Sequence, residues 1–235
     1  MAFDGKEVLG IIPARGGSKG LPRKNVYPLD GIPLINYSIR AGLRSKYVDS
    51  VIVSSDDPEI LRIAEQQGAG TLQRPVGLAT DSASPHAVIA HALETLEDQT
   101  QIYDMVILLQ PTSPLRNEKH VDEAFELLKQ MDDRTSLISV YFPEKSPYKC
   151  FISDESGYLK GLVSDDAPFM NRQDLPQVFM PNGAIYIFGV KEFSKENRIP
   201  MKRAIPYIMT ETESIDIDTL NDVKLVEKIM QESYR

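Results

Sequence analysis

Val8-Leu9-Gly10-Ile11-Ile12-Pro13-Ala14-Arg15-Gly16-Gly17-Ser18-Lys19-Gly20-Leu21-Pro22-Arg23-Lys24-Asn25 begins as apolar chain and changes to glycine and positive charge. Val8–Ala14 is a mostly apolar run of strand length, and the loop that follows is glycine-rich. Gly16, Gly17 and Gly20 permit close backbone approach and turns closed to larger side chains. Successive amide N–H groups in such a loop can form an anion-binding nest. Arg15 offers a rigid fork to phosphate oxygens, while Lys19 and Lys24 supply mobile positive charge. The spacing is neither that of a Walker A loop nor that of the dinucleotide-binding fingerprint. Phosphate suits these residues best. Another anion, or a surface turn whose basic residues are simply solvated, fits the same pattern.

Working outward from that loop, strand and helix patterns alternate. Leu34–Ser45 reads as a helix, with Leu34, Ile35, Ile39 and Leu43 forming an apolar stripe behind Pro33. Val48–Ser54 is a second strand, Pro58–Gln67 a helix, Pro85–Leu96 another, and Met105–Leu109 a strand. Glu118–Met131 returns to helix and Ser136–Tyr141 to strand. This order predicts an α/β fold of three layers around a mostly parallel sheet, with the loops at the C-terminal strand ends gathered on one edge. From Phe142 to Pro181 prolines punctuate the chain, which reads as a hairpin-rich excursion. Gly183–Val190 reads as a strand re-entering the sheet. Ser214–Asp218 reads as a strand feeding a last helix over Leu220–Glu232.

The chain has 235 residues, 42% of them hydrophobic and 26% charged, which is enough for a substantial core and unlike a disordered or fibrous protein. Its net charge of −8 speaks against nonspecific binding to nucleic acid or an anionic membrane, although a local basic patch still attracts a small anion. A single cysteine, Cys150, excludes an intrachain disulfide framework and a cysteine metal cluster. Residues 1–7 are short and polar, and the apolar run Val8–Ala14 that follows lacks the length of a transmembrane span and the layout of a signal peptide, so a soluble cytoplasmic protein is expected.

Ile215–Asp216–Ile217–Asp218 places two carboxylates at i and i+2, on one face of a strand, with the isoleucines on the other. Two close carboxylates repel unless a cation or hydrogen bonds offset them, and Mg²⁺ is the suitable cation beside phosphate. A solvent-facing acidic edge is the competing reading. Thr219 is placed to cap the following helix, with Asp222 supporting its first turn. In Gln110–Pro111–Thr112–Ser113–Pro114–Leu115–Arg116, the loop after a strand presents Gln110 to a polar substrate, with Arg116 supporting the loop; a rigid connector explains it equally. Asp56–Asp57–Pro58 reads as a helix cap. Arg74, Ser82 and Ser84 can face base, ribose or phosphate, though capping explains Ser84 nearly as well. Lys149, Arg172 and Gln173 can close over an acidic substrate or remain solvated. Asn182 offers donors and acceptors to a polar ligand. His86, His91 and His120 are scattered and read as ordinary residues.

Together the blocks IIPARGGSKGLPRKN at 11–25, RPVGLATDSAS at 74–84, LQPTSPLR at 109–116, PNGAIYIF at 181–188 and IDIDTLND at 215–222 resemble the cytidylyltransferases that activate sialic acid and related nonulosonic acids. The resemblance implies a Rossmann-like nucleotidyltransferase core over 1–141 and 182–235. Residues 142–181 would be an inserted region for dimerisation and the sugar site, and the protein a homodimer. It implies that Arg15, Lys19, Lys24, Asn25 and Ser84 handle CTP, with Arg15 and Lys24 also catalytic. Gln110, Lys149, Arg172 and Asn182 would place the acidic nine-carbon sugar. Asp216 and Asp218 would hold catalytic Mg²⁺, for which Mn²⁺ is an admissible substitute. Sialic acid is the first expected acceptor, with legionaminic and pseudaminic acids as alternatives. A CTP-binding protein without turnover, or an enzyme for a neutral sugar phosphate, are the contrasting readings.

Overall fold

The apolar run after Glu7 forms β1 (Val8–Pro13), and its side chains divide between two helical layers. Val8 and Ile12 pack into a core that also contains Ile35, Ile39, Ile60, Val121 and Phe125. Leu9 and Ile11 face the other way, against Ile89, Ala92, Leu96 and Phe193. Alternate residues of a strand point to opposite faces, so a strand covered on both sides must be apolar throughout. Burying each such side chain contributes about 1.5–3 kcal/mol relative to exposure.

In this computed structural model, which describes residues 3–80, 82–131 and 136–233, the expected alternation is present. After β1 come a small ribbon, β2 (Pro28–Leu29) with β3 (Ile32–Pro33), then α1 (Ile35–Arg44), β4 (Ser50–Ser55) and α2 (Pro58–Gln66). β5 (Gly70–Gln73), α3 (Pro85–Asp98), β6 (Met105–Leu108), α4 (Glu118–Lys129) and β7 (Ser136–Tyr141) follow. The chain then leaves the sheet, forms the hairpin β8 (Phe151–Ser153) and β9 (Leu159–Gly161), and returns along β10 (Met180–Gly189). α5 (Val190–Glu196), β11 (Ala204–Ile208) and α6 (Leu220–Ser233) complete it.

The main sheet has seven strands in the order β11-β7-β10-β6-β1-β4-β5. β10 runs antiparallel to β6 and β7, and the other neighbours are parallel. From β1 the chain steps outward through β4 to β5, then crosses back to place β6 on the other side of β1. A sheet whose winding reverses opens a crevice at the C-terminal ends of the strands on either side of the reversal. The loops after β1, β4 and β6 border that crevice. α6 packs Val223 and Val226 against Leu21, Leu29, Leu34 and Ile217, which brings the end of the chain over the β1 loop.

Three departures from the sequence reading have physical reasons. Residues 214–218 form no strand: the Ile217 N–H donates to the Thr112 carbonyl at 2.9 Å, in the loop after β6, rather than to a neighbouring strand. β10 begins at Met180, and its register against β7 shifts between Pro181 and Tyr186. β5 and β11, at the two edges of the sheet, were not expected, nor was α5; short edge strands carry too little apolar pattern to stand out.

Candidate active site

The loop after β1 lines one wall of a cleft of about 350 Å³ with Arg15, Gly17, Ser18, Lys24 and Asn25. Arg74, Thr80 and Ala83 line a second wall, and Gln110, Pro111 and Thr112 a third. That volume lies in the range of small-molecule sites. Asn25 is buried, and its Nδ2 donates to the Arg15 carbonyl at 2.8 Å, so it closes the loop on itself. The Gly16 N–H donates to Asp56 Oδ1 at 3.0 Å and is therefore already committed rather than free for an anion nest. Lys19 is exposed on the same loop and lies outside the lining of the cleft.

Arg74 is buried and donates from Nε to Ser54 Oγ at 3.2 Å and from Nη2 to the Ser54 carbonyl at 2.5 Å. Burial lowers its pKa, Asp56 opposes the shift and Arg15 reinforces it. Two guanidinium groups close enough to perturb one another make a wall that favours a polyanion. Ser84 is the N-cap of α3 and its hydroxyl accepts from the His86 N–H at 3.1 Å; its neighbours Ala83 and Pro85 line the cleft. Asp81, within the same motif, lies outside the described residues.

A second cleft of about 250 Å³ adjoins the first through the shared side chain of Gln110, with Tyr141, Asn182, Gly183, Tyr186, Ser214 and Asp216 around it. Gly183 has φ +75°, and a Cβ there would overlap Gln110 Oε1. Glycine at 183 therefore gives the Gln110 amide its place between the clefts. Asn182 borders this cleft but spends its amide internally. Its Oδ1 accepts from Ser139 Oγ at 2.6 Å and from the Ala184 N–H at 3.1 Å, while Nδ2 donates to Ser214 Oγ at 2.9 Å. It thus braces the wall of the cleft. Arg116 is buried behind Gln110, donating to the Gln110 and Ala184 carbonyls and to Ser38 Oγ, and burial lowers its pKa to about 9. The support role expected for it is what these bonds provide.

Asp216 opens onto the second cleft while Ile217 is fully buried, so the acid–apolar alternation persists without a strand. Although its carboxylate faces open space, the surrounding protein displaces enough solvent to raise its pKa. The Thr112 hydroxyl opposes that shift, Asp218 adds to it and Lys24 opposes it. Asp218 Oδ1 lies 2.7 Å from Lys24 Nζ, whose side chain is only 14% exposed. A Cβ on Gly20 would overlap the Asp218 carbonyl oxygen, so the basic loop and the acidic segment are in backbone contact. Asp222 Oδ2 accepts from the Asp218 and Thr219 N–H groups at 3.1 and 2.7 Å and from Thr219 Oγ1 at 2.8 Å. That is the capping arrangement expected at the start of α6.

The structure thus brings together Arg15, Lys24, Asn25, Gln110, Asn182, Asp216 and Asp218 around two joined clefts. Lys149 ends a short turn and Arg172 lines a separate groove of about 280 Å³ with Phe142 and Ser146; neither lines the joined clefts. None of the histidines lines them either. Thr112 has no role in the sequence reading, and Tyr186 reads there as a ring that simply packs in the core. Thr112 stands two residues after Gln110 on the same loop, a spacing that could have flagged it. Burial raises the Tyr186 pKa, Asp216 adds to the shift and the Gly183 N–H opposes it; an aromatic inside an apolar strand gave no sign of this.

A family model described as cytidylyltransferase matches residues 9–232. The N-acylneuraminate cytidylyltransferase of Escherichia coli O18:K1:H7 is 36% identical over 229 residues, which cover 97% of this chain and 53% of that protein. The chain therefore spans about half the length of that relative. The pseudaminic acid cytidylyltransferase of Campylobacter jejuni is also 36% identical, over 230 residues that cover 96% of this chain and 98% of that one. The solved structure of a CMP:2-keto-3-deoxy-manno-octonic acid synthetase complexed with CTP superposes with a TM-score of 0.70 over 97% of this chain and 99% of that one, at 17% identity, a likeness of fold. A matched span that takes in the basic loop, the Gln110 loop and the acidic segment alike means that the chain belongs to the cytidylyltransferase family.

Proposed function

We propose that this chain transfers the cytidylyl group of CTP to the anomeric hydroxyl of a nonulosonic acid, with N-acetylneuraminic acid first and legionaminic and pseudaminic acids as alternatives. The observation that carries this reading is the pair of clefts joined at Gln110, one edged by Arg15, Lys24 and Arg74 and the other by Asp216. CTP takes the basic cleft and the sugar acid the second, so the acceptor hydroxyl meets the α-phosphorus where they join. The new bond forms between that hydroxyl oxygen and phosphorus as the bond to pyrophosphate breaks, and the hydroxyl proton is released to water without a dedicated histidine. Arg15 and Lys24 offset the charge that develops on the phosphoryl oxygens, and Lys19 retains the outer phosphates. Gln110 and the wall braced by Asn182 orient the acid.

Asp216 and Asp218 fit a Mg²⁺ site completed by the nucleotide. Among the described residues no group of three His, Cys, Asp or Glu side chains is gathered for a resident ion. Mg²⁺ needs no such cage, because it commonly binds through one or two carboxylates plus substrate phosphates and water. The mutual repulsion of Asp216 and Asp218 is one that a cation would relieve. When bound, Mg²⁺ supplies Lewis-acid polarisation of phosphate oxygens. Lys24 is paired with Asp218, and an ion held by that carboxylate would leave the Lys24 charge available to phosphate.

The hairpin β8–β9 supports a homodimer. Tyr158 and Leu159, on a two-stranded element that has little stability alone, are each 73% exposed, and Phe169, in the short turn that follows it, is 80% exposed. Burying this apolar surface against a second copy completes the excursion and carries Lys149 and Arg172 toward an acidic substrate. Among the described residues no helix is long and apolar enough to cross a membrane.

The test is pyrophosphate release and product mass with CTP, Mg²⁺ and each of the sialic, legionaminic, pseudaminic and octulosonic acids. A CMP-linked nine-carbon acid is expected, with CTP outperforming ATP, GTP and UTP. Folded protein that binds CTP and turns over none of these acids would reject the reading.

A further inference from the structure

Asp57 reads as a helix cap, and one of its oxygens is one: Oδ1 accepts from the Glu59 and Ile60 N–H groups at 2.8 and 3.4 Å, with Pro58 in the first turn of α2. The other oxygen does something a cap does not require. Oδ2 lies 3.4 Å from Arg23 Nη1, and it would stand 2.7 Å from a Cβ placed on Gly16. Gly16 opens the basic loop and Arg23 closes it, immediately before Lys24. One carboxylate, its side chain only 14% exposed, therefore packs closely against Gly16 at one end of the loop and pairs with Arg23 at the other, beside the start of α2. Arg23 is also paired with Glu59, and its backbone lies in the left-handed region at φ +55°. That conformation is unfavourable for a residue with a Cβ and persists where surrounding contacts fix it. Asp56 adds a bond to the Gly16 N–H, so the whole Asp56–Asp57 turn acts on the loop.

We infer that Asp57 is a positioning residue for the nucleotide: it sets the aperture of the basic loop and, through Arg23, the direction in which Lys24 enters the cleft. Asp57 need not touch the nucleotide: it does not line the cleft, whereas Arg15 and Lys24, the chain neighbours of Gly16 and Arg23, do. The inference rests on the basic cleft being the CTP site.

Substitutions at 57 separate the two oxygens. Serine and asparagine are N-caps comparable to aspartate, so Asp57→Ser and Asp57→Asn keep the cap while removing the charged second arm. Both should unfold within about 2 °C of wild type, whereas Asp57→Ala loses the cap and falls by about 2–4 °C. If Asp57 positions the loop, Asp57→Ser raises the KM for CTP about three- to tenfold, as loss of a partly buried charged contact would. Arg23→Ala does the same, and the double variant is no worse than the poorer single, because both break one clamp. Wild-type kinetics in Asp57→Ser and Asp57→Asn would overturn the inference, and so would losses that multiply in the double variant. Should wild type bind CTP yet turn over no acidic sugar, the acceptor assignment fails; CTP titration calorimetry on the same variants then decides, with unchanged affinity overturning the clamp. A wild-type chain that binds no CTP would sink the nucleotide site and the clamp together.

Discussion

Gly20 sits where the basic loop meets the acidic segment, and adding one methyl group there tests whether that contact sets the chemistry. A Cβ at this position meets the Asp218 carbonyl oxygen, a backbone atom with no rotamer by which to retreat. Restoring an ordinary van der Waals separation requires the loop or the 216–218 segment to move by roughly 1 Å. The same segment carries the Lys24–Asp218 ion pair and places Asp216 at the second cleft, so the shift reaches a cation of one substrate site and a carboxylate of the other. A displacement of about 1 Å among groups that must be aligned can cost on the order of 100-fold in rate, or about 2.7 kcal/mol of barrier. Overpacking itself typically costs 1–3 kcal/mol, and about 2–4 °C in unfolding midpoint for each kcal/mol at this chain length. Gly20→Ala is therefore expected to remain folded, lose turnover by roughly 100-fold and need more Mg²⁺ to reach its maximum. Pyrophosphate release over a Mg²⁺ series, read beside thermal unfolding, measures each part. Wild-type turnover with an unaltered Mg²⁺ dependence would show that the contact is incidental.

Removing the carboxylates directly should be more severe. Asp216→Ala and Asp218→Ala are expected to keep the circular-dichroism spectrum and CTP binding while losing most turnover; near-wild-type rates for both at low Mg²⁺ would refute the pair. Asp216 also predicts an acid limb. Burial raises its pKa above the ordinary 3.8, so the ionised form needed for a cation is lost at a higher pH than an exposed aspartate would give, and a pH–rate profile flat down to pH about 4 would contradict this. Asp222 has the opposite sign. Burial pushes its pKa up, but the bonds from Thr219 and Asp218 outweigh it and the net shift is downward. Its stabilisation is thus full above the ordinary aspartate value and lost as pH falls through the depressed one. Asp222→Asn should destabilise by about 1 kcal/mol at neutral pH, with the difference from wild type shrinking below pH about 4 in denaturant titrations.

What the sequence disclosed follows from how each element is buried. β1 and β6 could be read because both faces are covered and every position must be apolar. β11 could not, because Pro206 argues against a central strand and only its place at the sheet edge makes that proline tolerable. Ile215–Asp218 reads as a strand because its burial does alternate, but alternation arises wherever extended chain lies over a core, and the ladder that defines a strand is missing. The cap at Asp57 was legible from Asp-Pro before an apolar helix, whereas the reach of its second oxygen to Gly16 and Arg23 was not.

The difference lies in sequence separation. Spacing within a loop shows which residues carry charge and which glycines allow close approach, so Arg15, Lys24 and the Asp216–Asp218 pair were each identifiable as chemistry. Whether they share a site depends on contacts such as Lys24 to Asp218, 194 residues apart in the chain. Sheet topology brings the first of these groups to the crevice, since the loop after β1 must emerge where the winding reverses. The acidic pair arrives differently. It is not at the end of a paired strand, and its place is set by Ile217 sinking into the Leu21–Leu34 cluster, by its amide bonding to Thr112, and by the absence of a side chain at Gly20. The basic half of the site therefore depends on the order of strands, and the acidic half on a few packing contacts. Substitution at Gly20 or Ile217 should accordingly separate the two halves while leaving the sheet intact.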